Sequence, residues 1–309
     1  MSPLRTSVKS AIESALVVSG GADVYRRRRS EQLLVLAYHD IVPTGAELAG
    51  DRSLHLPQVA FAEQLDALTR THRVIPLRDA LSPSTTHDQR DSRPCVAITF
   101  DDAYAGAVTV GVEELRSRAL PATIFVTPSF LDGKTFWWDV LATATSGLED
   151  SLRERALTEA RGLTDAVLAL AHHSGLSTRE MPAHARGAST AQLKAAMEFD
   201  GITLAAHTWN HPNLTALADA DLMTELVRPM EWLKQFGDRA LPMISYPYGL
   251  ADRRVMDASH DAGYTAGFMI DGGWTTHDPR DPLAIPRLNV PAGVSRDGFI
   301  LRAAGLIQG

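Results

Sequence analysis

The chain has 309 residues, 45% hydrophobic and 22% charged, and a formal net charge of −7. That composition supports a large core and excludes disorder, and the negative balance argues against a nucleic-acid binder held by phosphate contacts. Cys95 is the only cysteine, which excludes an internal disulfide or a Cys-x-x-Cys site and fits a reducing compartment.

Residues 1–30 read as a leader, helical or loosely ordered. Its apolar stretch "AIESALVVSG" is broken by Glu13 and Ser14, a poor signal peptide. No run reaches the roughly 20 apolar residues of a membrane span. The chain therefore reads as soluble and cytoplasmic. Arg26 to Arg29 form a cationic run, taken as a solvated face, with weak contact to an anionic membrane surface as the alternative.

From residue 31 onward, short β-branched runs alternate with helical patterns. Strands are expected at 33–38, 73–77, 96–100, 122–126, 202–206, 242–246 and 265–270, with a weak one at 284–288. Helices fit "FAEQLDALT", "GVEELRSRA" and "ADLMTELVRPMEWLKQF". The stretch 78–94 is polar and loop-like. Segment 131–199 has no strand-like run, is rich in Ala, Leu, Arg and Glu, and reads as a helical insertion. Strand–helix alternation predicts a parallel sheet, and this many units predicts closure of residues 31–309 into a distorted TIM-like barrel.

Polar residues cluster after the strands: His39-Asp40, Asp101-Asp102, "HTWNH" (207–211), "PYG" (247–249) and "DGGW" (271–274). In a parallel barrel these ends meet on one face, where active sites lie. His207 and His211 are four apart, a spacing that puts both imidazoles on one side of a helical turn. Two histidines and a carboxylate leave a fourth position open for water, as in catalytic zinc sites. The adjacent aspartates then divide the work. One binds the cation, and the other accepts a proton from the water that the cation acidifies.

"TFDD" (99–102), "HTWNHP" (207–212) and "YPYG" (246–249) resemble the polysaccharide deacetylases of carbohydrate esterase family 4. The opening "VLAYHDIVP" (35–43) resembles their poly-N-acetylglucosamine deacetylase branch. The resemblance covers roughly 33–130 and 195–290. It implies a (β/α)7-8 barrel that removes N-acetyl groups from an N-acetylated glycan or glycolipid and releases acetate. It also implies that Asp101 is the general base, that Asp102, His207 and His211 hold one divalent metal, and that the Tyr248 N–H stabilises the oxyanion. Zinc is the expected metal, with cobalt, nickel or manganese also suited to this ligand set.

Two positions depart from the family pattern. Ser245 stands where many members carry the arginine that tethers the base, and Val290, in Leu288-Asn289-Val290, stands where many carry the general-acid histidine of a Leu-x-His motif. Arg287 is the candidate replacement for the arginine. His39 is the candidate proton donor, with His277 as its rival. Trp274 resembles the tryptophan of the acetyl pocket, and Tyr246 belongs to the same "YPYG" turn. Trp137 and Trp138 read as anchors of the insertion or as sugar-stacking surfaces, Trp209 as packing, and His172 and His173 as exposed. Asp271 is a turn residue or an orienting carboxylate. The other readings are an inactive carbohydrate-binding relative and a metal-dependent amidohydrolase acting on a small non-sugar amide.

Overall fold

The computed structural model describes residues 3–82, 91–143 and 147–307, with side chains from residue 11 onward. Its strands are β1 (Leu33–Tyr38), β2 (Asp40–Val42), β3 (His55–Pro57), β4 (Arg73–Val74), β5 (Cys95–Phe100), β6 (Ala122–Val126), β7 (Ile202–Ala206), β8 (Ala240–Ser245), β9 (Ala266–Phe268), β10 (Trp274–Thr275) and β11 (Leu288–Asn289). Strands β1, β5, β6, β7, β8 and β9 lie side by side in that order, all parallel. The sheet curls round until a short segment joins its edges: Ile285 bridges to Phe268, and β11 pairs with β1. The architecture is the distorted (β/α) barrel expected.

Covered on both sides, the central strands are apolar but for one threonine in each of β5, β6 and β7; β1, β5, β6 and β7 are buried at every residue. Alternate side chains separate two layers. Leu33, Val35, Cys95, Ala97, Phe125 and Phe268 fill the barrel interior. Leu34, Leu36, Val96, Ile98 and Phe100 face outward, toward Phe61 and Leu65 of the helix Gln58–Thr71. Two-residue periodicity thus fixes which side chains of β5 point at the barrel axis.

The expected strand at 73–77 shrinks to β4, because Pro76 caps the helix Leu77–Ala80. The strand expected at 265–270 is only Ala266–Phe268, and the weak one at 284–288 survives as the Ile285 bridge and β11. Strands β2, β3 and β10, of two or three residues each, were not anticipated; such lengths carry no periodic signal. Most of the loop expected at 78–94 lies outside the described residues.

The first 30 residues contain helices Pro3–Val18 and Gly21–Arg27. The first packs on the C-terminal helix Arg296–Ala303, where Ser14 donates to Asp297 and Ser295 donates to Glu13. Between β6 and β7 the chain runs through helices Trp137–Val140, Asp150–Thr158, Thr164–His173 and Thr190–Ala196. This segment is anchored by aromatic rings: Phe136 stacks between Phe130 (4.8 Å) and Trp138 (5.0 Å).

Gly106 opens the helical segment after β5 with its Cα against the Ile41 carbonyl and the Asp40 carboxylate, where a Cβ would collide with both. Gly106→Ala is expected to cost about 1–3 kcal/mol of stability by overpacking, read as a lowered urea midpoint at unchanged m-value.

Candidate active site

The inward register of β5 carries Asp101 to the rim of the barrel interior. Asp102 would then point away, but Asp102 and Ala103 adopt φ of 69° and 57°. This left-handed conformation is costly for residues with a Cβ and is held only where the surroundings impose it. The turn folds the second carboxylate back, so both aspartates reach one cavity.

Asp101 is clamped. Arg287 donates to Asp101 Oδ1 from one terminal nitrogen and to Oδ2 from the other, each at 2.7 Å. The same guanidinium donates to Thr99 Oγ1 (3.1 Å) and Ser245 Oγ (2.6 Å). Ser245 Oγ also lies 3.2 Å from Asp101 Oδ2. Arg287 is fully buried. Burial alone would raise the Asp101 pKa, but the Arg287 charge overrides it and holds the carboxyl well below its usual range.

Asp102 Oδ1 lies 3.5 Å from His207 Nε2 and 3.4 Å from His211 Nε2, and the two imidazole nitrogens are 3.1 Å apart. Tetrahedral bonds of about 2.0–2.1 Å require ligand atoms about 3.3 Å apart. His207 Nδ1 is fixed by the Ser245 carbonyl at 2.8 Å, which aims Nε2 inward. Asp102 Oδ1 is buried with no hydrogen-bond partner. Burial and the adjacent Asp101 push Asp102 far up, while burial pushes both histidines down. A buried orphan oxygen beside two neutral imidazoles is a donor set that fits a divalent cation.

The segment 207–211 is not a helical turn, contrary to the spacing argument. It is an irregular loop with Thr208 at φ 61° and His211 at φ 56°. Glu225 on the helix Asp219–Leu233 holds it, accepting from the backbone N–H groups of Trp209 (2.9 Å) and Asn210 (2.8 Å) and from Asn210 Nδ2 (2.7 Å). A carboxylate between the core residues Leu222 and Leu226 was the available sequence signal for this role.

Asp101, Asp102, His207 and His211 line a cavity of about 400 Å³ together with His39, Trp138, Arg153, Tyr248 and Asn289. The ring centroids of Trp138 and Tyr248 lie 4.7 Å and 4.6 Å from that of His211. Tyr248 sits at φ 60° and donates from its hydroxyl to the His211 carbonyl. Val290, at the position of the missing histidine, donates its backbone N–H to the Ala37 carbonyl of β1, and His39 lies two residues beyond Ala37, just past the end of that strand. Burial pushes the His39 pKa down to about 4, against the pull of Asp101, which leaves the imidazole neutral near pH 7.

Residues 88–267 match the family description "Polysaccharide deacetylase". The chain belongs to the polysaccharide deacetylase family. It is 22% identical to YxkH of Bacillus subtilis (strain 168) over 275 residues, 89% of this chain and 77% of that protein. The Streptococcus pyogenes deacetylase PplD, solved in complex with acetate, superposes with a TM-score of 0.60 at 17% identity, covering 88% of this chain and 97% of that one. IcaB from Ammonifex degensii superposes with a TM-score of 0.59 at 18% identity, over 89% and 96%.

In this polysaccharide deacetylase chain not every expected site residue meets the cavity. Trp274 lines a neighbouring cavity instead, with the Arg29 guanidinium 5.0 Å from its ring. The Tyr246 ring is buried beside Gly267, away from the cavity wall. His277 bonds the Ala80 carbonyl at 2.6 Å and is also absent from that wall. Trp209 packs under the Arg228 guanidinium, and His172, His173 and Asp271 are exposed. Trp137 and Trp138 are both buried anchors, and Trp138 also forms cavity wall.

The sequence reading missed a second buried cluster. Asp40 Oδ2 accepts from His55 Nδ1 and His184 Nδ1, each at 2.8 Å. His55 Nε2 bonds Asp139 Oδ1 at 2.8 Å, and His184 Nε2 the Glu47 carbonyl at 2.9 Å. Tyr104 donates to Asp139 Oδ2, and Trp138 Nε1 donates to Tyr104. Asp40 thus serves this cluster rather than His39. Its 2.8 Å separations are those of proton-bridged pairs, shorter than the edges around a metal. Asp139 and Asp40 overcome the burial penalty and push the His55 pKa up to about 10. A raised histidine pKa stabilises the fold fully below the unfolded value of about 6.5 and loses that contribution as pH rises. Stability is therefore expected to fall from about pH 7 towards pH 10, and His55→Gln to flatten that decline, as measured by urea unfolding at each pH.

Proposed function

We propose that the chain is a metal-dependent hydrolase that removes N-acetyl groups from an N-acetylated glycan or glycolipid and releases acetate. The observation that carries this reading is the Asp101–Arg287 clamp set beside three inward ligand atoms at metal-coordination spacing. Membership of the polysaccharide deacetylase family supports a hydrolase acting on acetylated sugars, and acetate in the PplD structure is the product such a reaction would leave.

Asp102, His207 and His211 would hold the cation. When bound, a divalent ion supplies Lewis acidity and lowers the pKa of water. The protein's own groups do the rest. Asp101, kept ionised by Arg287, accepts the proton of the attacking water. The Tyr248 N–H donates to the oxygen that becomes negative as the acetamide carbon turns tetrahedral. The C–N bond then breaks, and His39 delivers a proton to the departing amine. Because His39 is neutral in the resting site, that proton must reach it within the cycle, and Asp101 is the source. Trp138 and Tyr248 pack on His211 and fix the ligand geometry. Arg153, Leu157 and Trp138 come from the 131–199 segment and line the cleft, which makes that segment the proposed source of substrate selectivity.

Among the described residues no helix is long and apolar enough to cross a membrane. Tyr25, Val24 and Val18 are exposed apolar residues on the two N-terminal helices, close in sequence to the exposed Arg27 and Arg28. Weak attraction of that end to an anionic lipid surface is part of the proposal.

Purified protein is expected to carry one divalent ion per chain, with none at the Asp40–His55–His184 cluster. Asp102→Ala should abolish that content by elemental analysis, and a second ion lost on His184→Gln would contradict the assignment. Asp101→Asn should keep the metal and lose about 10²–10⁴-fold in kcat for acetate release from a chito-oligomer. His39→Gln should also keep the metal and lower kcat. Full turnover by Asp101→Asn would remove the mechanism.

A further inference from the structure

Beside the metal cavity lies a second one of about 640 Å³, and the two share Ile270 and Asn289 as a common wall. Its far side is built by parts of the chain outside the barrel strands. Arg29 follows the second N-terminal helix, and Arg302 lies on the C-terminal helix.

The charges of this cavity are unbalanced. Arg287 also borders it, but its guanidinium is spent on Asp101, Thr99 and Ser245. Arg29 makes one side-chain hydrogen bond, to neutral Gln32 at 2.8 Å. Arg302 makes one, to the Gly298 carbonyl at 3.2 Å, and its Nε is buried without a partner. Among the described residues neither arginine has an ion-pair partner, although the whole chain carries a net charge of −7. The opposing charge at the rim is the single exposed carboxylate of Asp271.

Arg29 is also held in place. Its guanidinium lies over the Trp274 ring, and its Nε is 2.5 Å from where a Cβ on Gly305 would sit. Gly305 itself is at φ 73°, so no other residue fits there without strain. An immobilised guanidinium with free N–H groups is a pre-formed partner for phosphate or carboxylate oxygens. An uncharged glycan would have no use for it.

We propose that this cavity binds an anionic group, a phosphate or a carboxylate, carried by the substrate on the sugar unit next to the one deacetylated. The proposal rests on the deacetylase reading for its substrate, but the subsite is testable without turnover. Three probes separate the possibilities: N,N′-diacetylchitobiose, its 1-phosphate, and a disaccharide of N-acetylglucosamine with glucuronic acid. One of the charged probes is expected to exceed the neutral one in kcat/KM by about tenfold or more, the scale of a hydrogen bond to a charged group. Whichever it is names the anion. That ratio should fall towards one in Arg29→Gln and in Arg302→Gln and be partly restored in Arg29→Lys, with variants first matched to wild type by circular dichroism and Tm. Equal kcat/KM for all three probes, or a preference that survives both glutamine variants, overturns the subsite. If no probe releases acetate, the deacetylase reading fails. Calorimetric binding of the two charged probes then decides the subsite: weaker binding of either in the arginine variants supports it, and equal binding of both refutes it.

Discussion

A bidentate ion pair between Arg287 and Asp101 sits at the top of the barrel interior with both partners buried. Removing either would leave a charge stranded in low dielectric, a loss of about 3–5 kcal/mol. The pair therefore fixes more than one carboxylate. It ties the segment before β11 to the end of β5 and, through Ser245, to the end of β8. None of these three pairs directly with another as strands. Ser245 is small enough to let the guanidinium reach across, and its own carbonyl sets the orientation of His207. The proposed base and one of the candidate metal ligands are thus positioned by the same buried arrangement.

The site is assembled by turns rather than by regular structure. Asp102, Ala103, Thr208, His211 and Tyr248 all adopt positive φ. Each such residue costs of order 1–3 kcal/mol, a cost borne where surrounding contacts over-determine the conformation. Those contacts can be named. Glu225 binds the loop between the two histidines, and the Tyr248 hydroxyl bonds the His211 carbonyl. The Asp139–Tyr104–Trp138 chain braces the wall behind His211. Strain is concentrated around the candidate catalytic and metal-binding groups.

The Asp40, His55, His184 and Asp139 cluster extends the same logic outward. It joins the start of β2, the β3 strand and both the early and late parts of the 131–199 segment into one buried charged network. It shares residue types with the candidate metal centre but not its spacing. The 2.8 Å contacts of one are the spacing of shared protons, and the 3.1–3.5 Å contacts of the other are the spacing that ligands of a bound cation would have.

Much of this molecule was legible in its sequence. The apolar runs at 33–38, 96–100, 122–126 and 202–206 are strands because a strand buried on both faces needs no partner-specific information to declare itself. Asp101, Asp102, His207 and His211 stood out because polar residues directly after such runs must lie at a barrel rim. Arg287 was named as the possible substitute for the missing arginine, and the fold brings it to Asp101. The sequence could not show that the two histidines converge through a left-handed loop, since a spacing of four is equally met by a helical turn. Nor could it show that Trp274 belongs to a different cavity, or that His55, His184 and Asp139 meet Asp40. The Asp40 cluster depends on contacts between residues 15 to 144 positions apart in the chain, and the place of Trp274 on its contact with the distant Arg29. Local pattern carries no record of such distances, and only the closing of the sheet brings those residues together.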